Sequence, residues 1–126
     1  MRIVIINLQH KFKVPTQKIK SSAEKSARVL KLEHPEISIV FTGQQRMRAM
    51  NKKFLGHDYA TDVITFNHGE IIICPSVALA NAKIHKNTLE RELLLYVIHG
   101  LLHLAGYDDH KPKDIALMRK KEQELL

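Results

Sequence analysis

A single cysteine in 126 residues rules out any internal disulfide and fits a reducing compartment. That residue, Cys74, closes an apolar run and reads as a small buried hydrophobe. No apolar stretch approaches the roughly 20 residues of a membrane helix. The opening Met1 to Asn7 is too short for a signal peptide and lacks its cleavage pattern. These absences point to a soluble, cytoplasmic protein without membrane contact. Glycine and proline are few and scattered, with 5 and 4 copies, so nothing marks a linker, repeat or low-complexity tract. The length suits one domain spanning residues 1–126, with a core that needs no staples. Acidic residues are scarce early on. Residues 1–60 hold twelve Lys/Arg against four Asp/Glu, and the remainder is near balance, leaving a net charge of +7. A basic half favours an anionic partner, nucleic acid foremost.

Periodicity supplies the elements. Ile3 to Ile6 is a β-branched run typical of a buried strand. Ile19, Ala23, Ala27 and Leu30 recur at helical spacing, with Lys18, Lys20, Lys25 and Arg28 on the outer face. A second strand alternates through Ile37, Ile39 and Phe41. Thr42 and Gln45 form a capping-box signature for a helix with Met47, Met50 and Phe54 inward. Val63 to Phe66 and Ile71 to Cys74 read as a hairpin turned at Asn67-His68-Gly69. Val77 to His85 forms a short helix, and Asn87 with Glu90 can cap the next. That next helix runs through Leu93, Val97, Leu101 and Leu104 and is apolar nearly all round, so it should lie at the buried centre. Lys111 to Leu126 closes the chain as a charged helix with Ile115, Met118 and Leu125 inward. The expected architecture is α+β: a small mixed four-stranded sheet covered by about five helices.

The chemistry concentrates at the end of the buried helix, in His99-Gly100-Leu101-Leu102-His103-Leu104-Ala105-Gly106-Tyr107-Asp108-Asp109-His110. Histidines four apart on a helix stand about 40° apart and roughly 6 Å along the axis, so both can reach one divalent ion. Gly106 can end the helix in a left-handed cap and turn the chain back. Asp109, or alternatively His110, can then supply a third ligand, leaving a fourth position open as in hydrolytic zinc sites. Two unpartnered imidazoles among leucines and valines would otherwise be costly. Gly100 stands where zinc proteases of the H-E-x-x-H type carry a glutamate base, which argues against peptide hydrolysis. It also permits another segment to approach closely, such as the strand ending at Cys74. The general base is left open between the metal's own water and Asp108, which could also support a ligand from behind.

The run resembles the signature of the YbeY family, bacterial metal-dependent endoribonucleases, written H-G-x-L-H-L-x-G-Y-D-H. A second block, Met50 through Phe66, is similar to that family's L-N-x-x-Y-R-G-x-D-x-P-T-D-V-L-S-F. Gly69 to Cys74 resembles the strand that follows it. Two departures stand out: Asp109 falls on the family's last histidine, and Leu55 and Ala60 fall on its arginine and proline. The resemblance implies the same α+β fold, one Zn²⁺ per chain, and cleavage of single-stranded RNA. The substrate would be ribosomal RNA at the small-subunit 3′ end, with a part in ribosome quality control and the small ribosomal subunit as partner. The implied arginine position faces the cleft.

Substrate phosphates are expected at Arg46, Arg48, Lys52 and Lys53, the densest basic patch. Few aromatics interleave with it, so base stacking is not evident from sequence. His57, beside Asp58, Thr61 and Asp62, belongs to a turn that could wall the cleft. An alternative function is a ribosome-associated RNA-binding factor with a structural metal and little catalysis.

Overall fold

A computed structural model describes all residues, Met1 to Leu126. The elements are β1 (Arg2–Asn7), α1 (Thr16–Val29), β2 (Glu36–Phe41), α2 (Gln44–Leu55), β3 (Val63–Phe66), β4 (Glu70–Ile73), α3 (Pro75–Ile84), α4 (Leu89–Leu104) and α5 (Pro112–Leu125). The sheet order is β1-β2-β4-β3, with β1, β2 and β4 parallel and β3 antiparallel to β4. Parallel neighbours need crossovers, supplied by α1 between β1 and β2 and by α2 with β3 between β2 and β4. This is the expected α+β architecture.

One sheet face carries Ile3, Ile37, Ile39, Phe41, Ile71 and Ile73 into the main core. There they meet Ile19 and Ala23 of α1, Ala78 of α3, and Leu93, Val97 and Leu101 of α4. Helix α4 is the hub, packed against α1, α3, α5, β3 and β4. The opposite face carries Val40, Ile64 and Ile72 under Met47, so α2 covers it. Gly100 is where α4 meets the sheet. A Cβ built there would lie 2.7 Å from Ile71 Cδ1, so the close approach to β4 requires glycine. No helix is long and apolar enough to cross a membrane.

Three local expectations differ. Thr42 does not cap α2: its amide bonds Ile73 carbonyl at 2.9 Å, prolonging the β2–β4 ladder, and Gly43 takes the cap position. The cap of α4 is Thr88, whose hydroxyl accepts from the Arg91 amide at 3.1 Å. Asn87 turns instead to the buried carboxylate of Glu92. Phe54, expected inside, is 52% exposed, because it lies in the last turn of α2 beyond the sheet face that Met47 seals.

Candidate metal centre

The C-terminal half of α4 places His99 and His103 one turn apart, with ring centroids 4.6 Å from each other. Both are partly shielded by the apolar turns around them. The helix then stops in the way its glycine requires. Gly106 has φ of 97°, its amide bonds His103 carbonyl, and the Tyr107 amide bonds Leu102 carbonyl, each at 3.0 Å. This left-handed closure, with Tyr107 packed near Leu102, reverses the chain and returns Asp109 to the histidines.

The two Nε2 atoms lie 3.1 Å apart, and Asp109 Oδ2 is 3.5 Å from His99 Nε2 and 3.4 Å from His103 Nε2. These separations suit a tetrahedral zinc site, whose donors at about 2.0–2.1 Å would stand about 3.3–3.4 Å apart. His110 also lines the cleft, but its side chain is 83% exposed and its Nε2 lies 3.3 Å from Asp108, so it groups with Asp108 and Asp109 and not with the two helical histidines. Asp108 accepts from the Asp109 amide at 2.8 Å and so shapes the turn, without contacting either histidine.

The carboxylate behind the histidines is Glu122 of α5, absent from the sequence-based site. Its Oε2 accepts from His99 Nδ1 at 2.6 Å. That bond fixes the tautomer, because a proton on Nδ1 leaves Nε2 with its lone pair forward. The convergence then consists of a lone pair on His99, a carboxylate oxygen on Asp109 and an imidazole nitrogen on His103. Such a group is stable only around a cation, either a proton or a metal ion. Burial lowers the His99 pKa, yet the Glu122 hydrogen bond, its charge, and the charges of Asp109 and Asp62 outweigh it, so the net shift is upward. The sequence held a faint signal for Glu122, a carboxylate in the inward stripe of Ile115, Met118 and Leu125.

A cleft of about 850 Å³ opens over this cluster, between α4, β3 and the turn before α5. Asp62, Val63 and Thr65 form one wall, Tyr96 part of another, and Leu55 stands at the rim. Asp62 is held by the Val63 amide at 2.8 Å. Burial drives the Tyr96 pKa upward; its hydroxyl accepts from Asn81 Nδ2 at 2.8 Å, so the phenol stays protonated. Arg46, Arg48, Lys52 and Lys53, the sequence's phosphate candidates, do not line the cleft. They stand exposed on α2, across the sheet edge, because the helix faces the opposite side from α4. Arg48 is engaged with Asp58 at 2.8 Å, and that hydrogen bond holds the Asp58 carboxyl below its usual range. His57 is exposed beside Tyr59, outside the cleft.

Comparison with known proteins gives one consistent answer. The family model described as Endoribonuclease YbeY matches residues 4–126. A protein of that name from Elusimicrobium minutum is 38% identical, covering 91% of this chain and 92% of that protein. Another, from Syntrophus aciditrophicus, is 33% identical over 100% of this chain and 88% of its own. A solution structure from Thermotoga maritima superposes with a TM-score of 0.69 at 32% identity, covering 98% of this chain and 85% of that one.

Proposed function

The chain belongs to the YbeY endoribonuclease family, and from that membership we propose that it cleaves single-stranded RNA with a divalent metal ion, zinc by its donor set. The setting we infer is ribosomal RNA maturation in the cytoplasm, at the small-subunit 3′ end, with a role in ribosome quality control. The observation that carries the metal is the convergence of His99, His103 and Asp109, whose donor atoms all lie within 4.8 Å.

His99 and His103 would hold the ion, and Asp109 would complete three protein ligands while leaving an open position toward the cleft. When bound, the ion supplies Lewis acidity to the scissile phosphate and to the attacking water. Glu122 keeps the His99 ring oriented through Nδ1. The protonated Tyr96 phenol can donate a hydrogen bond but is no base. Asp62 and Asp108 are the cleft carboxylates outside the cluster that can accept a proton; each holds a neighbouring backbone amide through Oδ1, at 2.8 Å, and keeps its second oxygen for the reaction.

The test pairs elemental analysis with cleavage of a single-stranded RNA. Wild type should carry about one zinc per chain and cut, and His103→Ala should lose both properties. Metal and cleavage both retained in His103→Ala would overturn the metalloenzyme. The second reading, an RNA-binding factor with a structural metal, is favoured by the lack of any Lys or Arg lining the cleft. It predicts metal and RNA bound without cleavage.

A further inference from the structure

We propose that the outer surface of α2 and β3 is a base-stacking platform for the single strand that flanks the scissile phosphate, with Phe54 as its exposed ring. This rests on the nuclease reading and adds to it a binding surface outside the metal cleft.

The cleft itself is a poor holder of a polyanion. Asp62, Asp108, Asp109 and Glu122 all line it and no Lys or Arg does, Arg119 lining only the adjoining cavity that shares His99, Asp109 and Glu122. One bound divalent ion offsets only part of that charge, so the flanking backbone needs a grip elsewhere. Leu55 shows where the strand can leave. It lines the cleft and is 53% exposed, at the end of α2 where that helix comes level with β3. Strand β3 is the edge of the sheet, so a polymer can pass over it from one face to the other.

On the far side lies an aromatic surface assembled from two separate segments, the end of α2 and the end of β3 with its turn. Phe54 meets the edge-on ring of Phe66 with centroids 5.2 Å apart. Phe66 in turn stacks on His68 at 5.8 Å and 18°. A second exposed pair, Tyr59 and His57, stands 5.6 Å apart in the loop before β3. A cation borders these rings, Lys53 Nζ lying 5.3 Å from the Phe54 centroid, and Lys52 and Arg46 add exposed positive charge elsewhere on the same helix. Exposed rings edged with positive charge match unpaired bases on a phosphate backbone, and the match is indifferent to base identity. The sequence hid this surface because its rings come from α2 and from the end of β3 with its turn. Only folding brings them together.

The experiment uses the metal-loaded protein and a single-stranded oligoribonucleotide. Phe54→Ala should raise KM about tenfold, the size of a lost base–aromatic stack, with kcat, metal content and thermal midpoint unchanged. Phe54→Leu should behave like Phe54→Ala, because it keeps bulk without a π face. Phe54→Trp should restore KM, and in a chain with no tryptophan its fluorescence should be quenched when RNA binds. Wild-type KM in Phe54→Leu or in active Phe54→Ala would overturn the platform and leave the nuclease standing. A wild type that neither binds nor cuts RNA would remove both.

Discussion

At the scale of single residues, the centre depends on one hydrogen bond that the motif does not contain. His99 can present Nε2 forward only while Nδ1 donates to Glu122, 2.6 Å away. Glu122→Ala removes the acceptor and lets the ring rotate or change tautomer. Metal affinity should then fall by about 10- to 100-fold, the usual cost of losing the group behind a ligating histidine. Competition against a chromophoric chelator measures this directly. Asp108→Ala should cost much less, because Asp108 bonds the Asp109 amide and no ligand ring. The meeting of the two histidines was legible from helix pitch, whereas the glycine stop left the third position open between Asp109 and His110, and only register with the family signature favoured Asp109. Glu122 was far less so, lying 23 residues beyond His99 on a helix whose placement depends on tertiary packing.

At the scale of elements, α4 can serve as the hub only because Gly100 lets it settle onto β4. An alanine Cβ there would meet Ile71 Cδ1, Cγ2 and Cγ1 at 2.7, 2.8 and 2.9 Å. Alanine is the better helix former by up to about 1 kcal/mol. That gain loses to the overlap, because Ile71 is β-branched, wholly buried and held in a paired strand with no room to turn. Gly100→Ala should therefore destabilise by about 1–3 kcal/mol, read from the urea midpoint. Adding Ile71→Ala removes all three opposing atoms, so the double variant should be more stable than the sum of the two singles predicts. Wild-type stability in Gly100→Ala would show that α4 can shift without loss. The elements themselves were legible because each buries one face with a regular period. The caps of α2 and α4 were not, because Thr42 and Asn87 found partners in the ladder and in Glu92 that local sequence does not contain.

At the scale of the whole molecule, eight of the twelve Lys/Arg in residues 1–60 lie on two unlike surfaces, those of α1 and α2. Lys20, Lys25 and Arg28 lie on α1, which packs against β1 and α4. Lys52, Lys53 and Arg46 lie on α2, whose last residue borders the metal cleft. Composition could give the sign of the partner's charge, but a sum over residues carries no position. Salt dependence recovers it. Each phosphate held by a lysine contributes about −0.7 to the slope of log Kobs against log salt for a single strand. Removing Lys52 and Lys53 together should flatten the slope by about 1.4. Removing Lys20 and Lys25 changes net charge equally and should leave the slope nearly unchanged, since those side chains project from a helix away from the cleft. Binding titrations over a range of salt concentrations compare the two pairs. Equal flattening by both would mean that RNA is attracted by the overall field and takes no fixed path across α2.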